Sequence, residues 1–225
     1  MLVYGKQVFL YILRKHPEII NEILLSKELD KKLFREISLL NKKIIKLDNK
    51  KAQSLAKGKN HQGFFLDIDD FKLTPLEVIK KSDFLLVLVG VTDVGNIGAI
   101  VRSAYALGVD GIIASEVSNL NFADIARSSS GSLFDMDFSI LKNSLDLANE
   151  LKQSGFKTIG SSADGDDVRD IVVDGKKALF LGSEGDGLSS KLIKKLDLKV
   201  RVHMERDFDS LNVNSAASIL IDRIR

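Results

Sequence analysis

The sequence predicts an α/β protein in two parts, a small N-terminal α/β module followed by a larger domain built on a parallel sheet. Three observations point there. Short strand-like and helix-like segments alternate over residues 1–72, the pattern of a compact α/β module. The run FLLVLVG at 84–90 is apolar throughout, as in a strand buried on both faces. Charge divides at the same place. Residues 1–82 carry 17 Lys+Arg against 10 Asp+Glu, or +7, and the rest carry 16 against 21, or −5, which agrees with the overall +2. A basic N-terminal part favours a polyanionic partner through counterion release, although a solvated lysine-rich surface has the same composition.

The elements follow in order. GKQVFLYILRKH has apolar residues at helical spacing, IINEILLS reads as a strand, DKKLFREISLL as a helix, KKIIKL as a short strand and QGFFLDI as a further strand. FKLTPLEVIKKSD, with Pro75, separates the parts, so the expected boundaries are a domain at 1–72, a linker at 73–82 and a domain at 83–225. After the strand at 84–90 come a helix over 97–107, a strand at GIIAS, a helix at LDLANELKQ, and strands at FKTIGS and KALFLG. A helix near SSKLIKKL, a strand at LKVRV and an apolar helix ending near Ile224 complete the series. Such a series predicts a site at the C-terminal ends of the strands.

Composition excludes several classes. The chain has no cysteine, hence no disulfide framework and no thiolate metal site. Its histidines, His16, His61 and His203, lack metal-ligand spacing, so no metal is expected. No segment reaches the ~18 apolar residues that span a bilayer. Lys6 and Arg14 bracket VFLYIL and no small-residue cleavage site follows, so a soluble cytoplasmic protein is expected.

Three turns carry unusual chemistry. In VGVTDVGNIGAIVRSAYALG a buried strand gives way to a helix start, with Asn96 as candidate N-cap and Arg102 six residues on. Taken alone, Arg102 reads as a helix arginine with an ion-pair partner. Only two glycines of a dinucleotide fingerprint are present there. In KALFLGSEGDGLSS, Gly182, Gly185 and Gly187 free backbone amides around Glu184, which could meet a ligand or simply accept the loop's own amides. No Lys-Ser/Thr pair follows, so this is not a P-loop. In FDSLNVNSAASIL, residues 208–220, Ser210, Asn212, Asn214 and Ser215 crowd one helix entry. A single N-cap needs only one or two of them. The surplus suggests a site for a polar, planar ligand such as a base or ribose.

Together these residues resemble a known family. NIGAIVRSA, LGSEGDGLS and DSLNVNSAA, each after a strand, resemble the three motifs of the SpoU (TrmH) RNA ribose 2′-O-methyltransferases of the SPOUT class. VYGKQVFLYIL and NHQGFFLDI resemble the family's N-terminal RNA-substrate-binding domain, so nearly the whole chain is covered. The likeness is nearest to the RlmB-type branch, which methylates a guanosine ribose in 23S ribosomal RNA. It implies a C-terminal α/β trefoil knot, S-adenosyl-L-methionine as cofactor, and a homodimer whose subunits contribute jointly to each site. By position, Asn96, Arg102, Glu184, Ser210 and Asn212 match the family's catalytic residues, and Gly182, Val202 and Leu211 its cofactor contacts. Arg102 is then the family's general base or its equivalent. Since arginine does not deprotonate readily, an electrostatic role toward a phosphate and a developing alkoxide is the preferred reading. Asn96, Ser210 and Asn212 would orient Arg102 and the ribose, and Glu184 would hold the loop.

Three positions depart from the family pattern. Asn214 replaces a serine, His203 a proline, and Gly95 a bulkier polar residue. His203 removes a fixed φ from the loop before the third motif. Tyr4, Phe64 and Phe65 are candidate base-stacking groups, though their apolar neighbours favour a core role. The competing readings are methylation of transfer RNA or another ribosomal site, a self-protection methyltransferase conferring antibiotic resistance, and a non-catalytic RNA-binding or ribosome assembly factor. An NAD-dependent oxidoreductase is disfavoured by the incomplete glycine fingerprint.

Overall fold

The computed structural model describes residues 1–207 and 210–225, so Phe208 and Asp209, at the head of the third motif, lie outside the described residues. The chain forms two compact units, Met1–Lys72 with Asn121–Phe134 and Leu73–Leu120 with Asp135–Arg225.

In the first unit the chain runs β1 (Leu2–Tyr4), α1 (Lys6–Lys15), β2 (Ile20–Leu25), α2 (Lys31–Ser38), β3 (Lys43–Lys46), α3 (Asn49–Leu55) and β4 (Phe64–Ile68). The four strands form one sheet in the order β1-β4-β2-β3. β4 is antiparallel to both neighbours, and β2 is parallel to β3. α1 buries Val8, Phe9, Ile12 and Leu13, a one-sided stripe at helical spacing. α2 buries Leu33 and Ile37, four residues apart, and leaves its other faces outside. Asp30 and Asp48 cap α2 and α3 by accepting from Leu33 N at 2.8 Å and Lys51 N at 2.7 Å. β1 and α3 carry too weak a pattern to be read from sequence, being three residues long and almost wholly polar, respectively. Phe64 and Phe65 are 1% and 0% exposed, which makes them core residues unavailable for base stacking. Tyr4 is half-buried, with the Arg127 guanidinium 5.3 Å from its ring centre.

The second unit opens with α4 (Leu76–Ile79), β5 (Phe84–Val89), α5 (Val94–Ala106) and β6 (Gly111–Ser115). Residues 73–82, read as a linker, belong to this unit. Thr74 donates its backbone N–H to Phe138 O at 2.8 Å, and Ile79 is fully buried. Next comes α6 (Phe122–Ser128), which belongs to the first unit although sequence reading placed all of 83–225 in one domain. Ser118, Asn119 and Asn121 mark a loop before it, but a loop signal does not say which unit the next helix joins. The second unit then continues with β7 (Asp137–Leu141), α7 (Ser144–Gln153), β8 (Lys157–Asp167), β9 (Lys177–Leu181), α8 (Ser190–Ile193), β10 (Leu198–Arg201) and α9 (Val213–Ile224). All six strands are parallel, in the order β10-β8-β9-β5-β6-β7. β5 and β6 are buried along their whole length, as their unbroken apolar runs predict. Helices cover both faces of such a sheet, and Leu147, Leu151, Phe156, Phe180, Leu192 and Leu196 fill one side of its core. Among the described residues no helix is long and apolar enough to cross a membrane.

The chain winds from β5 outward through β6 and β7, then back through β8 and β9 on the other side of β5. The order therefore reverses between β5 and β9, and a crevice is expected at their C-terminal ends. Beside it, β8 ends in Asp167, whose carboxylate accepts from the Arg169 side chain and from Arg169 N at 3.0 Å. These hydrogen bonds, the side-chain one first, hold the Asp167 pKa at about 2. A depressed folded-state pKa adds stability above the unfolded carboxylate value of ~3.9, and that stability is lost as pH falls toward about 2. Thermal melts across this window should therefore show a smaller acid loss of Tm for Asp167→Asn than for the wild type. Parallel pH profiles would remove Asp167 from the acid response.

Candidate active site

Three strand-end loops supply the site. The first follows β5 and enters α5. Its cap is Asp93, which accepts from Asn96 N at 2.7 Å. The helix thus begins ahead of Asn96, the N-cap expected from sequence, and the Asn96 side chain is released for other bonds. The second loop follows β9 and closes on itself through Gly187 N to Ser183 O at 3.0 Å. Gly182 is required there because a Cβ would collide with the Gly187 backbone. The third follows β10 and enters α9, which Asn212 caps by accepting from Asn214 N at 3.0 Å.

These loops converge on one carboxylate oxygen. Glu184 Oε1 accepts from Asn96 Nδ2 at 3.2 Å, from Val213 N at 3.3 Å and, at close range, from Asn212 Nδ2. Asn96 Oδ1 in turn accepts from Asn212 Nδ2 and from Asn214 Nδ2, both at 3.2 Å. Asn96 and Asn212 each use the amide oxygen as acceptor and the nitrogen as donor, which fixes both orientations. Charge-assisted bonds to an ionised carboxylate are the strong members of such a network. Oε2 takes none of these donors, and Glu184 is exposed. Asn214, a departure from the family pattern in sequence, thereby joins the network. A serine there is one atom shorter toward Asn96.

Beside Glu184 lies a cavity of about 680 Å³. Gly182, Glu184, Val202, Ser210 and Leu211 line it, all five being residues singled out from sequence. Sequence reading missed Ser161, Ser162 and Ala163 within β8, and Met204 and Arg206 after β10, which line it too. Small residues in a strand carry no spacing signal, so only the three-dimensional arrangement reveals them. His203 stands between two carboxylates, with Nδ1 3.7 Å from Asp167 and Nε2 3.5 Å from Glu205. It ties the loop after β10 to the end of β8 by polar contacts where a proline would act through φ.

Arg102 is set apart. Its position six residues after Asn96 turns it about 120° around α5, and its side chain makes no hydrogen bond or ion pair among the described residues. It is exposed on a stripe with Tyr105, which is 41% exposed. Among the described residues it therefore lacks a salt bridge, the ordinary fate of a helix arginine.

The close approach at Gly182 can be tested directly. Gly182→Ala should displace the Gly187 backbone, costing about 1–3 kcal/mol as overpacking does, and should weaken ligand binding in the cavity. Unchanged melting and unchanged ligand affinity would show that the loop has slack.

Comparison with known proteins gives a consistent result. The SpoU rRNA Methylase family model matches residues 83–222, and a model for RNA 2′-O ribose methyltransferase substrate binding matches residues 2–74. A Staphylococcus aureus (strain COL) protein named as a TrmH family tRNA/rRNA methyltransferase is 30% identical over 226 residues, covering 93% of this chain and 89% of its own. A Borreliella burgdorferi protein named as a tRNA/rRNA methyltransferase is 31% identical over 201 residues, 82% of this chain and 88% of its own. Among solved structures, the SpoU methyltransferase AviRb from Streptomyces viridochromogenes, in complex with AdoMet, superposes with a TM-score of 0.82 at 25% identity, covering 99% of this chain and 88% of that one.

Proposed function

The chain belongs to the SpoU rRNA methylase family, and from that premise we infer that it transfers a methyl group from S-adenosyl-L-methionine to a ribose 2′-hydroxyl of RNA, in a guanosine of 23S ribosomal RNA. The observation that carries this reading is the convergence of three strand-end loops on Glu184 Oε1, where the loops after β5 and β9 meet, beside a cavity lined from the ends of β8, β9 and β10.

The cavity fits the cofactor. Its volume lies within the usual range for small-molecule sites. Val202 and Leu211 offer an apolar wall, Ser161 and Ser162 offer hydroxyls, and the glycine at 182 lets backbone come close. When bound, S-adenosylmethionine supplies a methyl group already activated on a sulfonium. The protein's task is then alignment and help with the hydroxyl proton. Glu184 holds Asn96 and Asn212 in place, and Asn212 also starts α9, so ribose-orienting groups and helix entry form one rigid piece. Arg102 contributes a fixed positive charge toward a phosphate and the developing alkoxide.

Arg102 lies away from the Glu184 network of its own chain. We therefore assign it to the site of a second copy in a homodimer. The exposed stripe of Arg102 and Tyr105 on α5, and Ile219 on α9 at 38% exposure, support that interface. Val202 follows β10 at the sheet edge, while Asn212 and Val213 bond to Asn96 and Glu184 in the loops after β5 and β9, and this placement supports a trefoil knot in the C-terminal segment. The reaction belongs in the cytoplasm with its RNA. Transfer RNA is the second reading, favoured by the names that the relatives carry. Mapping 2′-O-methylation over ribosomal and transfer RNA, from cells with and without this protein, decides between them. One guanosine of 23S RNA that loses its mark is the expected result, and loss confined to transfer RNA would move the substrate there.

A further inference from the structure

The segment at 202–206, between β10 and the third motif, has two sides. Val202, Met204 and Arg206 line the cavity beside Glu184. The residues between them, His203 and Glu205, do not line it and meet the end of β8 and the turn after it instead. His203 lies 3.7 Å from Asp167 and 3.5 Å from Glu205, and Arg169 lies 3.9 Å from Glu205 while its side chain donates to Asp167. Asp167, Arg169, His203 and Glu205 thus clasp one side of the segment and present the other to the cavity. On the cavity side Val202 and Met204 are half-buried, and Arg206 is exposed. The Arg206 side chain makes no hydrogen bond or ion pair among the described residues, so its N–H donors are uncommitted.

The cavity carries both signs of charge. Arg201 and Arg206 line it together with Glu184, Asp186 and Asp207, two cations against three acids. A groove for a run of phosphates carries an excess of cations. A wall of mixed sign suits a zwitterion instead, and S-adenosylmethionine ends in one, with an ammonium and a carboxylate on the same carbon. Its adenosine half has the apolar wall of Val202 and Leu211. The carboxylate needs donors, and a guanidinium offers a planar pair of N–H groups that matches its two oxygens.

We propose that Arg206 binds the carboxylate of the cofactor's methionine half, which makes it a specificity-determining residue for the methyl donor. The proposal rests on the reading of this cavity as the S-adenosylmethionine site and adds the residue that tells the intact cofactor from one lacking its carboxylate.

The test is calorimetry on the full chain with two ligands, S-adenosylmethionine and its decarboxylated form, which keeps the adenosine, the sulfonium and the amine. Wild type should bind the intact cofactor about tenfold more tightly, the effect of one charge-assisted contact. Arg206→Ala should lose this preference while its affinity for the decarboxylated ligand stays at the wild-type value, which separates a lost contact from a lost fold. Arg206→Lys should recover part of the preference, because it keeps the charge without the planar fork. A preference kept in Arg206→Ala would overturn the proposal, and its loss in Arg201→Ala instead would move the contact to that arginine. Equal weakening of both ligands in Arg206→Ala would also overturn it and make Arg206 a support of the loop. A wild-type chain that binds neither ligand would overturn the cofactor reading of the cavity along with the proposal.

Discussion

Replacing Arg102 by alanine should lower the methylation rate by about 10²–10³-fold, the effect of removing one preorganised charge from a developing oxyanion, while S-adenosylmethionine affinity stays within about twofold of wild type by calorimetry. The reason is geometric. Arg102 sits on α5, exposed and without an ion-pair partner among the described residues, and does not line the cavity, so the cofactor should not sense its loss. The role proposed for it in a second copy's site has its own signature. Arg102→Ala and Asn212→Ala chains are each expected to be inactive, yet mixing them as dissociated and reassociated dimers should recover about a quarter of the activity, because half of a random mixture is heterodimer with one complete site. No recovery would place Arg102 and Asn212 in the same chain's site or remove Arg102 from the mechanism. Wild-type activity in the single Arg102 variant would do the latter outright.

Glu184→Ala should be nearly as damaging, by another route. Three donors lose one acceptor: the Asn96 amide, the Asn212 amide and Val213 N. Hydrogen bonds to a charged group contribute about 1.5–3 kcal/mol. The entry to α9 should loosen as a unit, and amide exchange at Val213 should quicken by at least tenfold, since ~1.4 kcal/mol corresponds to a factor of ten. Glu184→Gln should fall between, because it keeps an acceptor oxygen and loses the charge. If exchange at Val213 is unchanged in Glu184→Ala, the carboxylate does not organise the third loop.

The chemistry of the Glu184 loop is visible in the amino-acid sequence by itself, whereas Arg102 alone reads as an ordinary helix arginine and is singled out only by its place in the first motif. Glu184 sits in a short glycine-rich loop directly after the apolar strand β9, and Asn212 among a surplus of short polar side chains at the entry to α9, so the chemistry of both is visible in local composition. Central strands β5 and β9 are equally legible, because a strand buried on both faces leaves an unbroken apolar run. Other features depend on contacts distant in sequence. Asp93 rather than Asn96 caps α5, and nothing local distinguishes two polar residues three apart. Ser161 and Ser162 gain meaning only because β8 runs beside β9. The excursion of 121–134 into the first unit is flanked by loop signals, Ser118, Asn119 and Asn121 before α6 and SSSGS at 128–132 after it, but which unit the helix joins depends on contacts distant in sequence. Asn214 reads in sequence as a variation on a serine, and only the fold brings its amide to Asn96, 118 positions away.

The central claim is that these loops form one site acting on an RNA sugar. The most direct measurement incubates the protein with ribosomal RNA and S-adenosylmethionine labelled on the methyl group, then digests the RNA in alkali. A ribose 2′-O-methyl removes the hydroxyl that alkali uses for cleavage, so label on the sugar survives in dinucleotides. The proposed function predicts label in alkali-resistant dinucleotides containing guanosine, abolished by Asn212→Ala. Label released in mononucleotides, the mark of base methylation, or label equally strong with Asn212→Ala, would contradict it.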